Sequence, residues 1–236
     1  FLMKDLNQNK TLSHEWLNSR LIRLRYKELE KYYRGETCLE LWSADWEWTK
    51  MLVPHFKHIV AVDWSTEAIE WAKKFVGPAD NVEYICSYFE QLELNEKFDT
   101  VMLTHILEHV DNSVEIIRIA KKFLKDNWVL IADVPNAKSI HREIWVRSGF
   151  IPTIYSLNSA DISIWHQRVY DLDTFSADLE SAGMKVIKKG WLFIKTFSNK
   201  QIEDMQLSDS VIQALSDVGL MYPEIAAEIF CICENN

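Results

Sequence analysis

Glycine is scarce in this chain: there are 6 among 236 residues, against 10 tryptophans, a reversal of the usual order. So little glycine leaves few positions that take a positive φ or a close backbone approach at no steric cost. A G-x-G-x-x-G loop is missing altogether, which weighs against a nicotinamide dehydrogenase. Cysteine is also sparse, and Cys38, Cys86, Cys231 and Cys233 form no C-x-x-C pair, so a thiolate metal site is not expected. All four lie in apolar strand-like runs and read as reduced core residues of a cytoplasmic protein. No apolar run is long enough to cross a bilayer, and a signal-peptide pattern is missing, so no membrane association is expected. Positive charge is in deficit: 26 Lys and Arg face 35 acids, a formal net charge of -9. Nucleic-acid backbones need a basic face, so nucleic acid is not an expected partner. There is no internal repeat, low-complexity tract or linker, and residues 1–236 read as a single domain.

What is present alternates. Residues 13–34 carry Trp16, Leu17, Leu21, Leu24 and Tyr26 at helical spacing with basic residues between, which predicts an amphipathic helix ahead of the sheet. Strands are expected at 37–41, 59–63, 82–86, 98–103 and 128–133, with helices at 45–55, 66–75 and 113–124 between them. A helix over 171–182 closes at Gly183. One or two strands follow in 184–197, then a helix over 201–218 and a last strand over 225–233. Strands alternating with helices imply a parallel sheet covered on both faces. The late strands flanking a helix allow an antiparallel strand at one edge. Residues 136–167 have weaker periodicity, hold Gly149 and Pro152, and read as a lid inserted after the fifth strand.

Two acids close the first two strands, Glu40 and Asp63. In doubly wound nucleotide-binding folds an acid at the end of the second strand hydrogen-bonds a ribose. For Asp63 the plainer role is to cap the helix starting near Thr66, and both roles fit adjacent groups. For Glu40 the plainer role is a solvated charge at a helix N-terminus. The stretch His105-Ile-Leu-Glu108-His109 matches the H-x-x-E-H pattern in which two histidines on one helix face hold zinc. That pattern needs a helix and a third ligand, and here it follows directly on a strand. No metal is therefore expected, and His109 reads as packed behind the site. His141, Arg142, Arg147, His166, Arg168 and Tyr170 lie in or beside the expected lid. A histidine there suits a general base, His166 before His141, and the arginines suit an anionic substrate. Each could equally be a solvated loop residue.

Four segments in order carry a resemblance: LELWSAD at 39–45, VAVDWS at 60–65, FDTVMLTHILEHVDN at 98–112 and WVLIADVPN at 128–136. HQRVYDLDTFSADLESAGMKV at 166–186 extends it. Together they resemble the class I S-adenosylmethionine-dependent methyltransferases of the small-molecule type. The resemblance implies an α/β fold: a doubly wound, seven-stranded, mostly parallel Rossmann-like sheet, its last strand antiparallel, with a lid insertion after the fifth strand. It implies S-adenosyl-L-methionine as cofactor and methyl transfer to a small-molecule acceptor. By position, Glu40, Trp42, Ser43 and Asp45 would line the methionine end and Asp63 the ribose hydroxyls. Trp64 would lie beside the adenine, with Ser87, Tyr88 and Phe89 at its edge, and Thr104 and His105 under the sulfonium. His105, His166 and His141 are then the catalytic candidates. The N-terminal helix is expected either to cover the cofactor or to make a homodimer contact. The chain departs from the family where Trp42 and Trp46 replace glycines. Trp64, Trp128, Trp165 and Trp191 likewise stand at expected turns. The alternative reading is a non-catalytic binding or scaffold protein of the same fold, its cofactor loop blocked by Trp42 and Trp46.

Overall fold

The computed structural model describes residues 16–41 and 46–235. The expected cofactor-loop residues Trp42, Ser43 and Asp45, and the start of the N-terminal helix, lie outside the described residues.

The strands are β1 (Thr37–Leu41), β2 (His58–Asp63), β3 (Val82–Cys86), β4 (Phe98–Thr104), β5 (Leu124–Pro135), β6 (Met184–Leu192) and β7 (Glu228–Asn235). They form one seven-stranded sheet in the order β3-β2-β1-β4-β5-β7-β6. The first five pair in parallel, and β7 runs antiparallel to both β5 and β6. The reversed strand is therefore internal and β6 forms the edge, a correction to the edge position the sequence allows.

The helices are α1 (Trp16–Leu29), α2 (Trp46–Leu52), α3 (Thr66–Val76), α4 (Ser113–Lys122), α5 (Ile140–Arg147), α6 (Ser159–Ser163), α7 (Leu172–Ser181), α8 (Asn199–Asp204) and α9 (Asp209–Met221). Alternating strand residues feed opposite faces. Leu39, Leu41, Val101 and Leu103 pack with α4 and α7 on one face. Cys38, Met102, Val129 and Ile131 pack with α1 and α2 on the other. All seven residues of β4 are buried, as befits a central strand covered on both faces.

Local chemistry sets several boundaries. The Ser65 hydroxyl accepts from the Ala68 amide at 3.2 Å and starts α3. Asp171 and Thr174 form a reciprocal capping box on α7. Gly35 sits at φ +71, where an added Cβ would stand 2.4 Å from Asp99. Asp99 receives the Glu36 and Thr37 amides there at 2.8 and 2.9 Å, so only glycine admits the carboxylate that starts β1.

Several boundaries move. β5 begins at Leu124, so Trp128 lies within a strand, as Trp191 does within β6, and neither is a turn residue. Inside β5, Asn127 takes φ 65 where the pairing with β4 shifts register between Phe98 and Thr100. The single helix expected over 201–218 is two, α8 and α9, with Gln206 at φ 50 between them. A 3₁₀ turn at Pro223–Ile225 delays the last strand to Glu228. Cys38, Cys231 and Cys233 are buried, but Cys86 is exposed, which corrects its reading as core.

Residues 136–167 contain α5 and α6, built around the buried Arg142. Its guanidinium donates to the Ile154 carbonyl at 2.7 Å, to the Ser156 carbonyl, and to Asp161 at 3.1 Å. That guanidinium braces the segment and is not a free anion site. The segment's far end is tied to the turn after β4: the Gln167 amide donates to the Glu108 carbonyl at 2.7 Å, and Arg168 donates to the Leu107 and Asp111 carbonyls.

Candidate active site

After β1 the chain builds β2 and β3 on one side, then returns to place β4 on the other. The sheet therefore changes direction between β1 and β4, and ligands of such sheets bind outside the carboxyl ends of the strands at this point.

On one side of the switch stand two buried acids. Glu40 near the end of β1 is 0% exposed, and the Thr49 hydroxyl of α2 donates to its Oε2 at 2.7 Å. It is not the solvated charge that its position before a helix allowed. Asp63 ends β2 at 1% exposure, and its Oδ1 accepts the Ser65 amide at 2.8 Å. The Asp63 carbonyl accepts the Ser87 amide at 3.0 Å, joining the ends of β2 and β3. Trp64 meets buried Phe89 edge-on, with centroids 5.6 Å apart, while Tyr88 is exposed. Asp63, Trp64, Ser87, Tyr88 and Phe89 thus gather beside one another. Carboxylates for hydroxyl groups and an aromatic pair for a base form a donor set that fits S-adenosylmethionine. Trp46 begins α2 and stacks on Phe75 of α3 at 4.7 Å, so its ring seals a helix seam. Tyr84 went unremarked in the sequence. Its hydroxyl is pushed up to about 12 by burial and by Glu40, which lies two strands away across Ala61 in the register.

On the other side a charged cluster gathers. His105 follows β4 at φ 49, its amide donating to the Asp133 carbonyl at 3.1 Å. A residue other than glycine is uncommon in that conformation, although histidine takes it more readily than most. Nδ1 of His105 lies 3.0 Å from Glu108, and Nε2 lies 3.4 Å from Asp133 and 3.9 Å from Glu228. Arg25 of α1 forks onto Glu228 through two 2.8 Å bonds and reaches Asp133 at 3.0 Å. Burial and Arg25 oppose a charge on His105, but Glu108 and Glu228 prevail and raise its pKa well above the imidazole value. Burial pushes Asp133 up to about 6, with Arg25 and His105 pulling against it. Glu228 falls below the usual carboxylate range, because Arg25 and His105 outweigh its desolvation.

Behind His105 the buried Glu108 also faces His109, whose Nε2 is 3.9 Å from Oε1. The His109 ring meets His166 edge-on at 4.7 Å, and Nδ1 of His166 is 3.6 Å from Asp161. Residues 105–109 form a turn, not a helix, and α4 starts only at Ser113. His141 packs edge-on against Trp145, and burial, Lys195 and Arg142 depress it to about 2. The structure thus brings His105 and His166 to one carboxylate and gives His141 other partners. Arg25, Glu108, Asp133 and Glu228 were not singled out as site residues. Glu108 and Asp133 lie inside segments that carried the resemblance, whereas Arg25 and Glu228 left no local signal.

The sequence profile described as a methyltransferase domain matches residues 13–189. No curated protein matches the chain. Among solved structures, the N-methyltransferase NodS from Bradyrhizobium japonicum in complex with S-adenosyl-L-homocysteine is 14% identical with TM-score 0.57, covering 98% of this chain and 90% of that one. A SAM-dependent methyltransferase from Archaeoglobus fulgidus is 18% identical with TM-score 0.62, covering 94% and 97%. One from Mesorhizobium loti is 11% identical with TM-score 0.63, covering 90% and 98%. At such identities the likeness is one of fold.

Proposed function

The chain belongs to the methyltransferase-domain family, whose cofactor is S-adenosylmethionine, and from that premise we propose methyl transfer to a small-molecule acceptor held under residues 136–167. The cofactor supplies an activated methyl group on a sulfonium. Glu40 would then orient the methionine portion, and Asp63 would hold the ribose hydroxyls. Trp64, Ser87, Tyr88 and Phe89 frame the adenine, and Thr104 and His105 adjoin the reacting atoms. Those residues position and exclude water rather than react.

Of the three histidines, His105 is the one this reading assigns to acceptor and cofactor. Its side chain is 28% exposed, whereas that of His166 is 8% exposed and His141 is buried. His105 holds its proton at neutral pH and presents a positively charged donor edge. Asp133 behind it, pushed up to about 6 by burial, is the group able to take up a proton there. The single observation that supports this reading most is the convergence of His105, Asp133 and Glu228 beyond β4, across the switch point from the buried acids of β1 and β2. A cytoplasmic setting belongs to the same reading and is supported by four free cysteines. Among the described residues no helix is long and apolar enough to cross a membrane.

Calorimetry with S-adenosylhomocysteine tests it. Micromolar binding, about -8 kcal/mol, is expected, and Asp63→Ala weakens it. Absence of binding by the intact chain would overturn the proposal and leave the non-catalytic reading, with Trp42 in the cofactor loop.

A further inference from the structure

We propose that Glu108, His109 and His166 bind a divalent transition cation of the zinc class. This inference does not depend on the methyl-transfer reading. One ligand atom from each of the three lies within 4.8 Å of the others. Ligands bonded to zinc at about 2.0–2.2 Å stand roughly 3.4 Å from one another, so closure needs only small side-chain shifts. Two imidazoles and one carboxylate form a mixed N/O set that suits zinc and its transition-metal neighbours. Calcium and magnesium favour oxygen ligands.

Four further observations point the same way. First, Glu108 is 0% exposed, and among the described residues its Oε2 has no hydrogen-bond partner. A buried carboxylate oxygen in that condition is costly unless something binds it. Second, His166 is held from outside the cluster. Asp161 stands 3.6 Å from Nδ1 of His166 and is itself fixed by Arg142, which leaves Nε2 of His166 as the ligand nitrogen. Metal-ligating histidines characteristically carry such outer partners. Third, the backbone already joins the two contributing segments, through the 2.7 Å bond from the Gln167 amide to the Glu108 carbonyl. Fourth, the other buried candidate, His105 with Asp133 and Glu228, has its carboxylates forked by Arg25, a cation that takes the place of a metal. The third group, His58 with Glu83 and Glu96, lies at the surface and serves as a control.

The H-x-x-E-H segment thus supplies ligands without its helix. Glu108 and His109 ligate from a turn, and the third ligand is His166 from the far end of the 136–167 segment. A cation there would clamp that segment to the turn after β4, one residue contact from His105.

The test uses the full chain, stripped with chelator and titrated with Zn²⁺ by calorimetry, with metal content counted on the purified protein. One equivalent of bound zinc and a rise in Tm are expected. Both are lost in His166→Ala and in Glu108→Gln, and both are retained in His58→Ala. Failure of the stripped chain to bind Zn²⁺, or retention of the equivalent in a folded His166→Ala variant, overturns the proposal. Should those variants not fold, the absorption spectrum of the Co²⁺-loaded wild-type chain decides. A low-coordinate spectrum is expected, and one matching aqueous octahedral Co²⁺ overturns the site.

Discussion

The two ends of the candidate site are built differently. At the carboxyl ends of β1 and β2 the buried acids are held by neighbours in sequence: Thr49 stands nine residues from Glu40, and Ser65 two from Asp63. At the ends of β4, β5 and β7, charges from α1, two strands and a turn meet, and the Arg25–Glu228 pair spans 203 residues. The first arrangement needs only one strand–helix unit to form. The second needs the whole domain. One side is organised by local chemistry, while the other is assembled from parts far apart in the chain.

Substitutions on the two sides should separate them. The largest effect is expected from Arg25→Ala, which leaves His105 alone to face both Asp133 and Glu228. Breaking such a buried pair costs about 3–5 kcal/mol, read by urea unfolding, and a loss below 1 kcal/mol would dissolve the contrast drawn above. Next comes Asp63→Ala. Removing charged hydrogen bonds of about 1.5–3 kcal/mol predicts a loss of roughly 10- to 100-fold in S-adenosylhomocysteine affinity, with a smaller change in stability. Equal affinity in wild type and variant would remove Asp63 from the ribose. Thr49→Val takes the hydroxyl from the buried Glu40, for a cost of about 1–3 kcal/mol, measured the same way. The smallest effect is expected at the cap of α7, whose carboxylate Lys138 and Tyr155 also reach. Asp171→Ala should cost about 1–2 kcal/mol.

That cap also has a pH signature. Burial alone would raise the Asp171 carboxyl, but the Thr174 amide, Lys138 and Tyr155 hold it well below the usual value. Its contribution is present above the unfolded value, near pH 4, and fades as pH falls through the folded one. Wild type should therefore lose more stability than Asp171→Ala on going from about pH 4 downward. Parallel acid limbs would show that the cap does not titrate.

The same contrast governs what could be read from residues alone. β1 and β3 fall where expected, because short apolar runs bounded by turn residues define them. Asp63 and Glu40 were legible because each ends such a run just before a helix. The internal place of β7 was not, since no window of sequence shows which strands pair. Nor was the break between α8 and α9, where Gln206 takes a positive φ without glycine. Arg25 read as one basic residue on an amphipathic helix, and Glu228 as the threshold of an apolar strand. Their meeting is a property of topology. His109 stands at zinc-binding spacing, but the helix that would justify it does not form, and its partner His166 lies 57 residues on.

The reversed strand carries a consequence in time. A ribosome delivers β7 after every other strand, yet its place is between two strands already made. Until Glu228 arrives, β5 has a bare edge, β6 has no neighbour in the sheet, and Arg25 lacks the carboxylate it forks onto. The closing of the sheet and the balancing of charge beside His105 are one event, so a chain cut short before Glu228 should emerge with an open edge and an unfinished site together.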